Sequence, residues 1–494
     1  MKPESARKMK PPKKFDYNLA VIGAGSAGLV TSYIAAAVKA KVLLIEKHKM
    51  GGDCLNTGCV PSKALIRTTR LLALGRRAAE FGIKQMQAEF TFGEIMERVQ
   101  TVVKTVAPHD SIERYTGLGV EVATGSARLT SPWTIEIAGA TGTRTLSARA
   151  IVIAAGARPL VPPIPGLDQI GYLTSDSVWN LRTAPKHLLV LGGGPIGCEL
   201  AQCFARLNIQ VTLIEMAPRL LLREDPEVSA LVEERFRSEG IDLKLGHTAK
   251  QFKNENGEKM LVAEHAGSTV TIAFDEVLVA LGRAANVKGY GLEELGVELS
   301  PNKTIRIDAF QATNYPHLFA CGDVSGPYQF THTAAHQAWY AAVNALFGGI
   351  KKFRTDYSVI PWATFTEPEV ARVGLNEQDA KAQGIPYETS FYDLADLDRA
   401  ITDGEAHGFV KVLTVPGKDK ILGVTIAGEH AGDLLAEFIL AMKHHIGLNK
   451  ILGTIHIYPT LAEANKYAAG VWKRAHQPET LLKWLARFHA WRRG

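Results

Sequence analysis

The sequence predicts an α/β fold with two doubly wound nucleotide-binding units, and three observations carry that prediction. The apolar run "LAVIGAGSAGLV" leads into Gly23-x-Gly25-x-x-Gly28, and "LLVLGGGPIGCEL" leads into Gly192-x-Gly194-x-x-Gly197. A helix-like stretch follows each loop, then a second apolar run ending in glutamate, "KVLLIE" at Glu46 and "QVTLIE" at Glu215. Both glutamates stand 23 residues after the first glycine of their loop. In a chain this rich in glycine one bare Gly-x-Gly-x-x-Gly arises by chance roughly 0.4 times. Two copies with matching strands, helices and glutamates are a pattern of another order.

The physical reading of each copy is a strand, a tight turn, a helix and a second strand. The glycines let backbone approach a pyrophosphate at the helix N-terminus, and the acidic residue accepts hydrogen bonds from ribose hydroxyls. Two such Rossmann-like sites in one chain imply an electron relay between two cofactors. At the second site Glu215 favours NADH, because a 2′-phosphate would meet like charge there. Arg219 and Arg223 follow closely, and an arginine suits that phosphate, so NADPH stays open.

At 494 residues the chain is too long for one domain, and three or four are expected. It is 46% hydrophobic and 21% charged, an ordinary globular composition. The net charge of +6 is unevenly spread. Residues 1–14 and residues 473–494 each carry six Lys or Arg and one Glu, so the body between them is mildly acidic. That distribution argues for two basic tails and against a nucleic-acid surface across the fold. Five cysteines are too few for a disulfide scaffold and point to the cytoplasm. No His/Cys spacing resembles a zinc site, so no metal site is expected; His444 and His445 are expected at a helix end. The basic leader is followed by no long apolar segment, so no secretory signal is expected.

The stretch "GGDCLNTGCVPSKAL" raises a sharper question. A disulfide requires Cα atoms within about 7 Å, whereas five extended residues span about 17 Å. A Cys54–Cys59 bond therefore requires a bent loop, which Asn56 and Gly58 permit. Pro61 suits the first turn of a following helix. Cys59 then lies at that helix's positive end, which favours thiolate. Such a small reactive loop suits an exchangeable disulfide better than a staple; an inert pair and a metal site are the alternatives. Cys198 and Cys203, on one helix, and Cys321 are expected in the core.

These residues identify a resemblance. The chain is similar, over roughly residues 15–470, to the flavin-dependent pyridine nucleotide-disulfide oxidoreductases, which include lipoamide dehydrogenase, glutathione reductase and mercuric reductase. "GCVPSKAL" is the most specific motif, and "IVIAAGARP", "VLVALGR", "LFACGDV" and "TEPEVARVGL" follow in family order. The resemblance implies FAD at the first loop and NADH or NADPH at the second. It implies a discontinuous FAD domain (15–158 and 286–356) around an NAD(P) domain (159–285), after a disordered leader (1–14). A C-terminal α+β dimerisation domain (357–472) would form a homodimer with active sites shared across subunits. FAD-side contacts are implied at Gly23, Gly25, Ser26, Ala27, Gly28, Glu46, Lys47, Gly52, Lys63, Gly125, Ala155, Gly156, Gly322 and Asp323. Nucleotide contacts are implied at Gly192, Gly194, Pro195, Ile196, Gly197, Glu215, Gly282 and Arg283. Electrons would pass to Cys59, the sulfur nearer the flavin, and leave through Cys54, the interchange thiol. Lys63 would pair with Glu199 beside the flavin.

The pattern departs from the family near its end. Members that act on dithiols carry histidine just before "PT" and glutamate five residues later, and the imidazole moves protons for the interchange thiol. In "IHIYPTLAEA" that position is Tyr458, with Glu463 at the expected distance and His456 displaced by two residues. A tyrosine with pKa near 10 is a poor base at neutral pH. This argues against lipoamide or glutathione turnover. Mercuric reductases carry tyrosine here, but receive metal through a C-terminal cysteine pair, and the last cysteine of this chain is Cys321. The expected function is an NADH-dependent disulfide reductase with a small-molecule or thiol acceptor other than lipoamide. A metal-ion or quinone reductase, a dihydrolipoyl dehydrogenase and a slow redox sensor are the alternatives. Residues 473–494 read as a basic amphipathic helix, with Leu481, Trp484, Leu485, Phe488 and Trp491 at helical spacing. It is expected to pack on the dimerisation domain, with a membrane surface or a docked partner as alternatives.

Overall fold

A computed structural model describes residues 10–494; most of the basic leader lies outside the described residues. Strand β1 (Tyr17–Ile22) runs into the first glycine loop, α1 (Ser26–Ala37) leaves it, and β2 (Val42–Glu46) returns. Helices α2 (Gly52–Asn56) and α3 (Cys59–Arg76) follow, then β3 (Val120–Thr124) and the long β4 (Gly142–Ile153). The strand order is β3-β2-β1-β4, all parallel. Such a sheet is covered on both faces, and Leu19, Ala20 and Val21 are fully buried.

The second unit repeats this plan. Strand β5 (His187–Leu191), helix α4 (Pro195–Arg206), β6 (Gln210–Glu215), β7 (Asp242–Leu245) and β8 (Glu276–Val279) give the parallel order β7-β6-β5-β8. The chain then re-enters the first sheet: β9 (Leu318–Ala320) pairs in parallel with β4, before α5 (Thr331–Phe347) packs on the first unit. The first nucleotide domain is therefore discontinuous.

The C-terminal part is an antiparallel sheet of β10 (Pro361–Thr364), β11 (Glu369–Gly374), β12 (Glu388–Asp393), β13 (Phe409–Thr414) and β14 (Ile421–Gly428), ordered β10-β11-β14-β13-β12. Helices α6 (Ala431–Lys443) and α7 (Glu463–Ala475) supply Phe438 and Trp472 to a core with Val373, Val412 and Ile426. Helix α8 (Glu479–Arg493) ends the chain. The sequence favours its packing on the sheet domain, but no residue of α8 is buried. Cys198, Cys203 and Cys321 are buried thiols. His444 caps the end of α6, and both it and His445 are exposed.

Buried charge joins this sheet domain to the second nucleotide unit. Lys411, on β13, is 1% exposed. Its Nζ donates to Asp225 at 2.5 Å, to Glu377 at 3.1 Å and to Glu227. A second acidic group, Glu367, Glu405 and Glu429, is matched by Arg206, Arg77 and Arg70. Each acidic cluster thus holds its own countercharge. Lys411→Ala leaves these carboxylates facing one another, and removing one partner of a buried pair costs about 3–5 kcal/mol. The urea midpoint of the variant falls accordingly; an unchanged midpoint would contradict this assignment.

Candidate active site

The two glycine loops are built alike. A Cβ at position 28 would lie 1.7 Å from the Gly23 carbonyl oxygen, and one at 197 would lie 1.9 Å from that of Gly192. These positions take glycine because the helix start presses against the strand end. The middle glycines face open space: a Cβ at Gly194 meets nothing within 4 Å, and one at Gly25 meets only Gly52 Cα, at 3.8 Å. Glu46 accepts from the Ala24 and His48 amides at 2.7 and 2.8 Å. Glu215 accepts from Gly193 and Ala217, both at 2.7 Å. Each carboxylate is thus fixed beside its loop with lone pairs remaining for ribose hydroxyls. The cradles fit two dinucleotides.

The other residues implied for the flavin converge on the first cradle. The Gly125 amide donates to the Glu46 carbonyl at 2.8 Å. The Ala155 and Gly156 carbonyls accept from Asn286 at 2.9 and 3.0 Å. The Gly322 amide donates to Gln337 at 2.6 Å. Burial raises the Asp323 carboxyl above its ordinary range, and its ion partner Arg283 Nε stands 3.6 Å away. Arg283 also pairs with Asp53, next to Cys54, and donates to Ala157 O at 3.0 Å. Lys47 is exposed, and Ala27 is buried in α1. In the second loop Pro195 opens α4, followed by the half-buried Ile196; a Cβ at Gly282 would meet open space.

Both redox candidates are thiols. Cys54 lies within α2 and Cys59 is the first residue of α3, so Gly58 forms the bend between two helices. A Cβ on Gly58 would lie 3.5 Å from Cys54 Cα and 3.0 Å from Asp53 O, which shows how tightly the loop folds back. The Asn56 amide donates to Met50 O and Gly52 O, at 2.9 and 2.8 Å, and pins the loop.

The sulfurs share a proton unequally. The Cys54 thiol donates to Cys59, and this hydrogen bond, helped by Thr331 and the charge of Lys63, outweighs burial and lowers the Cys59 pKa to about 6. The same hydrogen bond, and burial, raise Cys54 far above the ordinary thiol range. Thr331 Oγ1 lies 3.4 Å from Cys59 Sγ. Sequence reasoning missed Thr331; its only signal is a hydroxyl at the start of α5, shortly after "CGDV". Lys63 Nζ lies 2.9 Å from Glu199 and 4.1 Å from the centre of the Phe365 ring, and the Phe365 amide donates to Glu199 at 2.9 Å.

The C-terminal candidates are arranged otherwise than their spacing suggests. Tyr458 OH donates to Asp398 at 2.9 Å, which raises the phenol pKa. Glu463 is buried and accepts from Tyr467 OH at 3.2 Å and from the Thr460 amide at 3.4 Å. The phenol's partner is thus Asp398, which sequence reasoning missed. His456 Nε2 lies 3.0 Å from Glu437, and its ring is tucked away. Tyr458, Ile457 and Ile455 are 65%, 78% and 95% exposed, an apolar face fit for subunit contact.

With Cys59 lowered to about 6, its thiolate is the dominant form at and above neutrality. Iodoacetamide labelling of Cys59 in the reduced protein therefore rises with pH through about 6 and levels off before pH 8. Thr331→Val moves the inflection upward. Labelling that climbs only above pH 8 would contradict the assigned proton.

Comparison with known proteins places this geometry. Residues 17–338 match the family described as pyridine nucleotide-disulphide oxidoreductase, and residues 360–469 match its dimerisation domain. The chain is 35% identical over 463 residues to a mercuric reductase of Lysinibacillus sphaericus, covering 93% of this chain and 84% of the relative. It is 34% identical over 469 residues to a dihydrolipoyl dehydrogenase of Chlamydia muridarum, covering 94% and 99%. Among solved structures, LpdA from Mycobacterium tuberculosis superposes with a TM-score of 0.83 at 26% identity, covering 92% of this chain and 99% of that one. The flavoprotein disulfide reductase RclA from Escherichia coli gives 0.81 at 25%, covering 92% and 99%. The chain belongs to the pyridine nucleotide-disulphide oxidoreductase family, as an FAD-dependent enzyme with NAD(P)H as electron donor and a dimerisation domain that supports a homodimer.

Proposed function

We propose that the donor is NADH, that electrons leave through Cys59 and Cys54, and that the acceptor at Cys54 is a thiophilic metal ion rather than lipoamide. One observation carries this reading: the residue before Pro459-Thr460 is a phenol whose OH donates to Asp398, where an imidazole would be needed to move protons for a dithiol. FAD, held by the first glycine loop, supplies two-electron transfer from nicotinamide to sulfur. The chain's own groups do the rest. Thr331 and Lys63 stabilise negative charge on Cys59, and Glu199 orients Lys63. Cys54, whose pKa is raised beside Cys59, is a weak nucleophile until it loses its proton.

A dithiol or disulfide substrate needs a base and acid at this point. Tyr458, with its pKa raised by Asp398, is a donor at neutral pH and does not fill that role. A soft metal ion deprotonates a coordinating thiol outright and needs no imidazole. The relative from Lysinibacillus sphaericus, a mercuric reductase by name, supports this choice. In the homodimer each Cys54 would be faced by Tyr458 of the partner subunit. Five cysteines in 494 residues are too few for a disulfide scaffold, which supports a cytoplasmic compartment. Among the described residues no helix is long and apolar enough to cross a membrane.

The NADH preference rests on Glu215 and on Arg219. The Arg219 guanidinium donates to Glu224 O, Ser229, Leu222 O and Gln378, at 2.5, 2.9, 3.2 and 2.6 Å. Three of these contacts lie within the second nucleotide unit and one reaches Gln378 of the sheet domain, so both terminal nitrogens are occupied and do not serve a 2′-phosphate. In steady state kcat/KM for NADH exceeds that for NADPH by at least about tenfold, and Glu215→Ala narrows the gap. Equal values for the wild type would contradict the preference.

Anaerobic NADH oxidation by the holoenzyme against mercuric ion, lipoamide, oxidised glutathione and a quinone tests the acceptor. Mercuric ion turns over, lipoamide falls about 100-fold below it, and Cys54→Ser abolishes metal turnover. Tyr458→His raises lipoamide turnover by about tenfold or more. Wild-type lipoamide turnover equal to that with metal would remove the reading. Quinone turnover that survives in Cys54→Ser would assign the output to the flavin alone.

A further inference from the structure

We propose that α8 docks the enzyme on an anionic phospholipid surface. The helix begins beyond the matched dimerisation domain, which ends at residue 469, so the family's activity leaves it without a role. At 100° per residue, Leu481, Trp484, Leu485, Phe488 and Trp491 fall within one sector about 120° wide. Trp484 and Phe488 stack at 5.6 Å, Phe488 and Trp491 lie 6.1 Å apart, and the Arg492 guanidinium carbon is 5.9 Å from the Phe488 ring. These contacts are made within the helix itself. The apolar sector remains open, with Trp491 77% exposed, Trp484 59% and Leu481 48%.

Charge selects the occupant. Lys483, Arg487, Arg492 and Arg493 oppose the single Glu479 on α8, and Lys473 and Arg474 precede it. The leader, residues 1–14, is equally basic, while the body between the tails is net acidic. An anionic sheet of lipid headgroups attracts both tails and not the body, which orients the molecule as well as binding it. Both tryptophans lie at one edge of the apolar sector, and a ring that is apolar on one side and wet on the other suits the headgroup boundary. A helix of 15 residues is about 22 Å long, too short to span a bilayer and the right form to lie in its plane.

The test is co-sedimentation of the full-length holoenzyme with vesicles of phosphatidylglycerol and phosphatidylcholine, against phosphatidylcholine alone. The wild type pellets with the anionic vesicles about tenfold more than with the neutral ones, and high salt releases it. Trp484→Ala with Trp491→Ala loses binding about tenfold, as does Arg487→Gln with Arg492→Gln and Arg493→Gln. NADH oxidation is unchanged in both variants, which excludes misfolding. Wild-type enzyme that stays in the supernatant with both vesicles overturns the proposal, and assigns the face to a protein partner if truncation after residue 476 changes the oligomeric size. Equal pelleting of the tryptophan variant and the wild type also overturns it, since adhesion by charge alone does not use the apolar sector.

Discussion

The bend that brings Cys54 back to Cys59 is the constraint that the surrounding structure serves. It exists because α2 and α3 meet at Gly58 and because Asn56 ties the loop to Met50 and Gly52. It places two chemically identical side chains in unlike surroundings, which lower the Cys59 thiol pKa and raise that of Cys54. The helix start at Cys59, the hydroxyl of Thr331 and the charge of Lys63 act on the same sulfur, and Arg283 holds Asp53 beside the other. This asymmetry sets a direction: charge collects on Cys59, and Cys54 is the group a substrate must activate.

The two nucleotide units show how one local solution is used twice. Strand order, glycine contacts and the glutamate that bonds the loop amides are the same in both. They differ in what is added around them. The first unit receives the redox helices and the returning strand β9. The second is locked to the sheet domain through Lys411 and Arg206. Buried ion clusters of this kind add less to net stability than packed apolar groups would. Their geometry fixes how the domains sit, and so where Phe365 meets Glu199 and Lys63.

Much of this was legible in the chain because it is local. Strand, glycine and glutamate spacings lie within about two dozen residues, and a backbone that must touch backbone leaves glycine as its mark. The cysteine loop was legible for the same reason. Long-range pairings left no such trace. Tyr458 and Asp398 are 60 residues apart, and Cys59 and Thr331 are 272 apart. Nothing in the composition of "IHIYPTLAEA" says that the phenol turns to Asp398 while Glu463 turns to Tyr467. Arg219 left the donor open for a related reason: its charge was visible, but the four groups that occupy its guanidinium were not. The apolar stripe of α8 was visible too, but in the single chain none of it is buried, because periodicity records an apolar face without naming what covers it.

The central claim is that a flavin and a sulfur pair act as one electron store. Anaerobic dithionite titration of the oxidised holoenzyme tests it most directly. The account predicts uptake of two electron pairs per bound flavin, one by the flavin and one by Cys54 and Cys59, with both thiols alkylated afterwards. Uptake of a single pair, with both sulfurs unchanged at the end point, would contradict it.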